Sequence, residues 1–449
     1  MSIRPVLPLS ASALVLTIGA AVACSSVAVG ATDAANAAVR SSADDASGAA
    51  ASAAIPGSTT TLSLAGAAGP AAVAGTATRR ALPTATATLT ATPTAASSAA
   101  RDLRTDIGHR FSLVGVTWND PRAGLADLIR FSVRDHATGR WSGWEPLPSA
   151  DDDRPDGDSA EATAPGVRGG GAPMWVGDSD GIRVRLVPPA SGGSRALPAG
   201  LRLDLVDPGQ APPPPPVAGP STRAAQPRAV KPRAAKLSSS AIAPLMVSRA
   251  GWGADEKMRE KTLQYTGAVH AVFIHHTDTG NGYSCAQAPA VIRSIYRYHV
   301  KSLHWADIGY NFLVDKCGTV YEGRAGGVDR SVHGAHTLGF NTDTVGVAAI
   351  GTFTSGKVPK AMLDALARIA AWKLSPAHIS PTSKVTLVSG DSGSRYPKGR
   401  KVAFYAVSGH RDAVATECPG ASLYADLPSI RGAAARIQAG AAKAAPVPA

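Results

Sequence analysis

Two histidine positions and one cysteine, far apart in the chain, have the side chains best suited to chemistry. His410 and Cys418 lie eight positions apart in the stretch 409–420, and the pair His275-His276 ends an apolar run. Imidazole nitrogen and thiolate sulfur are good zinc ligands, and a catalytic zinc keeps a fourth position open for water. Nine of the eleven histidines fall between residues 270 and 410. The C-terminal half is therefore predicted to carry zinc chemistry.

The histidine pair leaves the choice of ligand open. Adjacent side chains in a strand point to opposite faces, so His275 and His276 should not both bind one metal. Packing is the alternative role for such a pair. His410 lies in a predicted loop, where functional residues are often carried on a rigid scaffold.

Segments with strand and helix patterns surround these residues. Residues 269–275 and 345–350 are apolar runs typical of buried strands, and 308–321 has the character of a hairpin. Helical spacing follows a capping box at Ser284, recurs from Met362 to Trp372, and is expected again over 422–437. This order predicts an α/β domain over 244–440, with a mixed central sheet flanked by helices.

A second unit is predicted over 101–208. Several short runs there alternate apolar and polar residues, which favours a small all-β accessory domain of the sandwich type. Trp141, Trp144 and Trp175 could form a sugar-stacking face, although packing is the commoner role. Five aspartates, at positions 151, 152, 153, 156 and 158, form an acidic loop. Their order fits no calcium-loop motif, so this loop is expected to be solvated.

The remaining segments resemble export and spacer sequences. Residues 1–31 are predicted to be a signal peptide, with Ala21-Val22-Ala23 as one cleavage site, so the mature chain should be exported without a membrane span. The Ala/Ser/Thr-rich stretch 32–100 is predicted to be a disordered spacer. Residues 209–243 are predicted to be a Pro-rich basic linker that either contacts an anionic wall polymer or is simply solvated.

Charge and cysteine usage agree with an extracellular location. Lys and Arg number 45 against 33 Asp and Glu, a net charge of +12, which suits nucleic acid, a membrane surface or a cell wall, or serves solubility alone. If Cys24 leaves with the signal peptide, Cys285 and Cys317 are expected to pair as a disulfide in an oxidising compartment. Cys418 would then remain as a metal ligand.

Six motifs in order carry a resemblance to a known family. The chain resembles the peptidoglycan recognition proteins, which share their fold with type 2 zinc amidases, at residues 248–254, 273–277, 305–312, 318–324, 334–337 with 339–341, and 409–420. The resemblance spans roughly 245–430. It implies hydrolysis of the amide between N-acetylmuramic acid and L-alanine in peptidoglycan, with Zn²⁺ as cofactor.

The resemblance also assigns roles to residues. It selects His275, with His410 and Cys418, as the zinc ligands, and it makes Tyr310 and Thr416 the catalytic residues, the role of Thr416 being the less defined. Zinc would lower the pKa of a bound water and polarise the scissile carbonyl. Candidate peptidoglycan contacts are His304, Trp305, Asn311, Arg324, His336 and Asn341, whereas Trp252 is expected to close the N-terminal flap of the domain.

Two other functions compete with a secreted, wall-associated amidase. A recognition module would bind peptidoglycan without cutting it, and such family members commonly lack the cysteine ligand. The presence of Cys418 favours the enzyme. A nucleic-acid-binding role is disfavoured because the chain combines an export signal with no recognised nucleic-acid motif.

Overall fold

The computed structural model describes residues 56–64, 86–87, 101–125, 128–148, 153–187, 197–210 and 242–443. The predicted signal peptide, including Cys24, and residues 211–241 of the predicted linker lie outside these ranges. Among the described residues, no helix combines the length and apolar character needed to cross a membrane.

The N-terminal part of the described chain is an all-β domain, as the alternating pattern predicts. Its eight strands are β1 (Ser58–Ser63), β2 (Thr86–Ala87), β3 (Arg101–Trp118), β4 (Leu128–Asp135), β5 (Glu145–Leu147), β6 (Gly169–Gly170), β7 (Met174–Val187) and β8 (Arg202–Asp207). Hydrogen bonding links them in one sheet of order β2-β1-β8-β3-β7-β4-β5, with β6 on β3, rather than in two separate sheets. Register shifts between β3 and β7 interrupt the ladder, and such irregularities let long strands bend.

Strand β1 lies within residues 32–100, which were predicted to be a disordered spacer. It pairs antiparallel with β8 from Ser58 opposite Asp207 to Ser63 opposite Arg202. Leu62 and Leu64 are fully buried in the core of the domain. The prediction of a disordered spacer over 32–100 is therefore wrong for residues 58–64, where the buried Thr60 and Leu62 alternate with less buried neighbours within an otherwise biased composition.

The C-terminal domain contains the predicted mixed sheet. Its six strands are β9 (Met246–Val247), β10 (Ala271–His276), β11 (Phe312–Val314), β12 (Val320–Glu322), β13 (Thr344–Ala349) and β16 (Val407–Gly409), in the order β16-β10-β13-β11-β12-β9. Only the β11–β12 pair is antiparallel within this sheet. β14 (Lys384–Val388) and β15 (Lys401–Tyr405) form a separate hairpin.

Helices cover both faces of this sheet, in agreement with the predicted α/β class. They are α1 (Arg249–Trp252), α2 (Ala288–Arg297), α3 (Lys360–Leu374), α4 (Ala421–Ala425) and α5 (Leu427–Lys443). α3 and α5 pack on one core with Val272 and Ile274, while α2 belongs to a second core. Burial of apolar side chains on both faces explains why the central strands are continuous apolar runs.

The two domains share part of their cores. Leu113 and Val206 of the β-rich domain belong to the same buried cluster as Val291 and Ile295 of α2. Tyr298, just after α2, donates from its hydroxyl to the carbonyls of Val116 at 2.9 Å and Gly171 at 2.8 Å. Gly115 lies so close to this ring that a Cβ there would sit 2.2 Å from Tyr298 Cε2. The β-rich domain is thus docked against the C-terminal domain.

Candidate metal centre and its groove

Parallel pairing brings the predicted histidine ligands to one edge of the sheet. β10 pairs with β16 with Ile274 opposite Gly409, so His275 and His410 follow at neighbouring positions. Their ring centroids are 4.5 Å apart. The loop after His410 folds back, with the Arg411 amide donating to the Cys418 carbonyl at 2.9 Å, and this return places Cys418 beside the histidines.

Four potential ligand atoms converge at this edge. The cluster comprises Asp153, His275, His410 and Cys418, whose ligand atoms all lie within 4.8 Å of one another, and all four residues are buried. Cys418 Sγ is 3.8 Å from His275 Nδ1. Asp153 Oδ1 lies 2.8 Å from His275 Nδ1 and 3.3 Å from His410 Nδ1.

These residues fit a zinc ion. Ligands about 2.0–2.3 Å from a tetrahedral zinc lie roughly 3.3–3.8 Å from each other. The Cys418–His275 distance of 3.8 Å and the Asp153–His410 distance of 3.3 Å match that range, whereas the 2.8 Å between Asp153 and His275 is shorter. Both ring nitrogens of His410 are buried and make no well-aligned hydrogen bond among the described residues, although Nδ1 lies 3.3 Å from Asp153 Oδ1. An unsatisfied buried polar atom costs about 1–3 kcal/mol, which a ligand at this position would offset. Two imidazoles with a sulfur also match the donor types that zinc prefers.

The histidines are held in the neutral form that metal ligation requires. Burial, together with the nearby His276, lowers the pKa of His275 to about 3. Burial likewise lowers the pKa of His410 to about 3, although the Asp153 carboxylate opposes that shift. Burial raises the pKa of Asp153, while His410 and the Tyr310 hydroxyl oppose the rise. Neutral imidazoles need lose no proton to bind a metal.

The two histidines of the pair have separate surroundings. His275 Nε2 lies 3.3 Å from Thr337 Oγ1, a contact that can orient a ring whose Nδ1 binds a metal. His276 turns the other way, and its Nδ1 accepts a hydrogen bond from the Phe353 amide at 3.2 Å. The geometry thus places His275, and not His276, in the cluster.

The two predicted catalytic residues lie beside the cluster in different ways. The Tyr310 ring is 5.7 Å from the His275 ring, and its hydroxyl donates to Asp153 Oδ2 at 2.7 Å. Thr416 is half-buried, and its hydroxyl accepts a hydrogen bond from the Cys418 amide at 3.1 Å. Thr416 therefore shapes the loop that presents the sulfur.

Three predicted substrate contacts are buried near the cluster, and their surroundings are here called the candidate groove. His336 is fully buried, 5.3 Å from the His275 ring between centroids, and burial holds its pKa well below the usual range. Asn341 Oδ1 accepts from the amides of His336 and Thr337. The Arg324 side chain is only 6% exposed and pairs with Glu161.

The other predicted contacts have mainly structural partners. Asn311 bridges the Val332 carbonyl and the Gly346 amide. Trp305 is buried, and its ring centroid lies 4.5 Å from that of the tilted His299 ring. His304 is exposed with a left-handed φ of 62°. Trp252 is fully buried and donates to the Glu322 carbonyl, which agrees with its expected role in closing the domain.

The structure also joins Cys285 to Cys317 in a disulfide, as expected from the cysteine count. This bond links the start of the α2 region to the turn between β11 and β12. It leaves Cys418 in the metal cluster.

Comparison with known proteins places the chain in a family. Residues 265–421 match the family model described as N-acetylmuramoyl-L-alanine amidase, and residues 70–228 match one described as an Rv3811 N-terminal galactose-binding domain-like unit. Peptidoglycan-recognition protein SC2 of Drosophila simulans is 31% identical over 184 residues, which cover 40% of this chain and 84% of that protein. The chain belongs to the peptidoglycan recognition protein family.

Further relatives come from the same family. Peptidoglycan-recognition protein LB of Drosophila melanogaster is 29% identical over 43% of this chain and 72% of its own length. The solved structure of Drosophila PGRP-LB is 29% identical, covers 41% of this chain and 93% of its own, and has a TM-score of 0.33. Both the family and the amidase description concern peptidoglycan, bound or hydrolysed.

Three acidic residues at the site of this recognition protein escaped prediction. Asp153 and Asp156 are buried, with 7% and 9% exposure, so the expected solvated acidic loop is wrong for them, although Asp158 is exposed. No pattern in the sequence points to Glu161. Their partners lie more than 100 residues away in the C-terminal domain, a separation that local patterns do not report. The only signal in the sequence was the density of aspartates.

Proposed function

We propose that this protein is an exported zinc-dependent N-acetylmuramoyl-L-alanine amidase that hydrolyses the amide between N-acetylmuramic acid and L-alanine in peptidoglycan. The observation that carries the proposal is the convergence of His275, His410 and Cys418 in one buried cluster beside Tyr310. The match of 265–421 to an amidase family model supports the same reaction.

The protein's own residues supply binding, orientation and hydrogen bonding. A zinc ion held by His275, His410 and Cys418 would supply Lewis acidity and an activated water. Tyr310 presents a neutral hydroxyl that can donate to the oxygen on which negative charge develops during amide hydrolysis. Arg324 presents a guanidinium able to bind a stem carboxylate in bidentate fashion.

A non-catalytic recognition role is the second candidate. The relatives are named for recognition of peptidoglycan, and binding alone needs no metal. Cys418 favours hydrolysis, because a buried sulfur set between two neutral imidazoles suits a metal and contributes nothing obvious to a glycan groove. In either role the basic stretch at 223–236 is a proposed contact for anionic wall polymers, and the protein is proposed to act at the cell wall.

The test compares Cys418→Ser with the matched variant His276→Gln. Zinc content is measured by mass spectrometry of metals, and the products of a defined muropeptide are identified by mass after prolonged digestion. Cys418→Ser should lose both zinc and cleavage while keeping muropeptide binding. His276→Gln should keep zinc, since that ring faces away from the cluster. Cleavage by Cys418→Ser at the wild-type rate would reject the ligand assignment.

A further inference from the structure

A segment of the β-rich domain enters the metal centre. Residues 153–168, here called the inhibitory segment, run from the described residue Asp153 to the start of β6. The Asp153 carboxylate contacts both histidine ligands through Oδ1, at 2.8 and 3.3 Å. Its other oxygen accepts the Tyr310 hydroxyl at 2.7 Å. One side chain thus engages two ligands and the candidate catalytic tyrosine.

Further along the segment, Glu161 occupies Arg324. Glu161 forms a bidentate pair with Arg324 Nη2, at 2.5 and 2.7 Å, and also accepts the Ala306 amide at 3.0 Å. The two side chains are 6% and 7% exposed. A substrate carboxylate could not reach this guanidinium while Glu161 holds it.

The middle of the segment binds the groove between these ends. Asp156 Oδ1 accepts the Gly339 amide at 2.5 Å and the Asn341 side-chain amide at 2.9 Å. The Arg154 carbonyl accepts from the same Asn341 amide at 3.1 Å. Three candidate groove residues, Tyr310, Arg324 and Asn341, are therefore hydrogen-bonded to the segment rather than open to a glycan or a stem peptide.

The same contacts change the electrostatics of the centre. A zinc ion with one thiolate carries a formal charge of 2 − 1 = +1, whereas the Asp153 carboxylate would bring it to 2 − 1 − 1 = 0. A catalytic zinc has three protein ligands and an open position, while a site with four protein ligands is typical of closed structural zinc. Full burial of His275 and His410 agrees with a closed centre.

We propose that the inhibitory segment keeps this enzyme latent, with Asp153 as a removable fourth zinc ligand and Glu161 as a stand-in for a substrate carboxylate at Arg324. The proposal rests on the proposed function, because latency presupposes an activity. The open form would be the one that binds peptidoglycan, so the apparent affinity of the wild-type protein is reduced by the fraction of molecules that are open.

Carboxylate contacts hold much of the segment in place, and near its end the partly buried Val167 packs against the core that the two domains share. Arg154, Pro155, Ala162 and Val167 line a cavity of about 990 Å³ together with Trp305 and other residues of both domains. Opening the segment would break the carboxylate contacts of Asp153, Asp156 and Glu161. Because removing one partner of a buried charge pair weakens the contact strongly, single substitutions should shift the closed–open equilibrium measurably.

The experiment measures muropeptide binding to zinc-free full-length protein by calorimetry. The variants are Asp153→Ala, Glu161→Gln and the two combined. The control is Asp158→Ala, which removes an exposed ion pair between the same segment and Lys398. Exposed ion pairs of this kind contribute little to stability. Glu161→Gln is nearly isosteric, so it tests the proposal even if Asp153→Ala folds poorly. Cleavage of the same muropeptide is then followed with zinc-loaded protein.

Latency predicts that Glu161→Gln and the double variant bind muropeptide at least about tenfold more tightly than wild type, with Asp158→Ala unchanged. With zinc, the same variants should cleave faster. Tighter binding without any cleavage would support occlusion while refuting the amidase. Unchanged muropeptide binding in Glu161→Gln and in the double variant would overturn latency. A loss of cleavage in Asp153→Ala at unchanged binding would also overturn it, because Asp153 would then be a catalytic residue.

Discussion

At the scale of single residues, the centre combines groups that the sequence could and could not predict. His410 and Cys418 stand in one short motif, and the resemblance selects His275 over His276; the cluster contains His275 and not His276. Asp153 was invisible because its contact with His275 spans 275 − 153 = 122 positions. A carboxylate in an acidic stretch is normally expected to be exposed to solvent, and only the tertiary structure shows that Asp153 is buried.

The variant Tyr310→Phe distinguishes the role of this tyrosine in turnover from its part in holding the inhibitory segment. Loss of one hydrogen-bond donor to a developing oxyanion typically lowers kcat by about 10²–10³-fold. The same change removes the hydrogen bond to Asp153, so muropeptide binding should hold or improve while turnover falls. Zinc content should be unaffected.

Steady-state rates, binding and metal content are compared with those of Tyr321→Phe. That control deletes a buried hydroxyl which donates to Asp315 on the β11–β12 hairpin. A Tyr310→Phe variant with wild-type kcat would exclude the tyrosine from catalysis.

At the scale of elements, periodicity predicted most of the C-terminal domain. The buried strands at β10 and β13, the hairpin β11–β12 and the helices α2 and α3 all follow from apolar spacing. The break between α4 and α5 falls at Asp426, within the stretch 422–437 where helical spacing is expected. β1 was missed because its threonine-rich sequence resembles the biased composition around it, and only pairing with β8 makes it a strand.

Helix α3 supplies a pH-dependent prediction. Lys373 is 5% exposed and donates to the carbonyls of Val328 and Arg330. Burial lowers its pKa from 10.5 to about 8. Between pH 8 and 10.5 the unfolded chain therefore binds more protons than the folded one, and the free energy of unfolding contributed by this group rises with pH.

The contribution of Lys373 to the free energy of unfolding should rise by a value on the order of 3 kcal/mol between pH 8 and 10.5. Lys373→Met should abolish it, so the difference in unfolding free energy between wild type and variant should grow in favour of wild type from pH 8 to 10. Urea titrations at several pH values measure this difference. A constant difference would mean that the lysine titrates normally in the folded protein.

At the scale of the whole molecule, sequence predicted two domains but not their docking. The accessory domain was expected to lie on a linker, whereas its Leu113 and Val206 share a core with α2. Residues buried inside one domain and residues buried between the two domains look alike in sequence. Apolar periodicity shows that a face is covered, but not which domain covers it. The inhibitory segment depends on this docking, since it reaches the groove from the β-rich domain.

Gly115→Ala tests that dependence. The new Cβ would clash with the Tyr298 ring across the domain boundary, although alanine itself is acceptable in a strand. We expect weaker docking and tighter muropeptide binding by zinc-free protein, in the same direction as Glu161→Gln. Gly143→Ala, which meets only open space, is the matched control. Unchanged binding in Gly115→Ala, with the clash confirmed by a lowered Tm, would show that the segment is held independently of docking.

The zinc centre itself is tested most directly by X-ray absorption at the zinc edge of the purified full-length protein. The predicted spectrum contains one sulfur at about 2.3 Å, from Cys418, with the remaining nitrogen and oxygen ligands at about 2.0–2.2 Å. The sulfur should vanish in Cys418→Ser and persist in Asp153→Ala. A zinc shell without sulfur in the wild-type protein, or a protein that binds no zinc, would contradict a centre built from His275, His410 and Cys418.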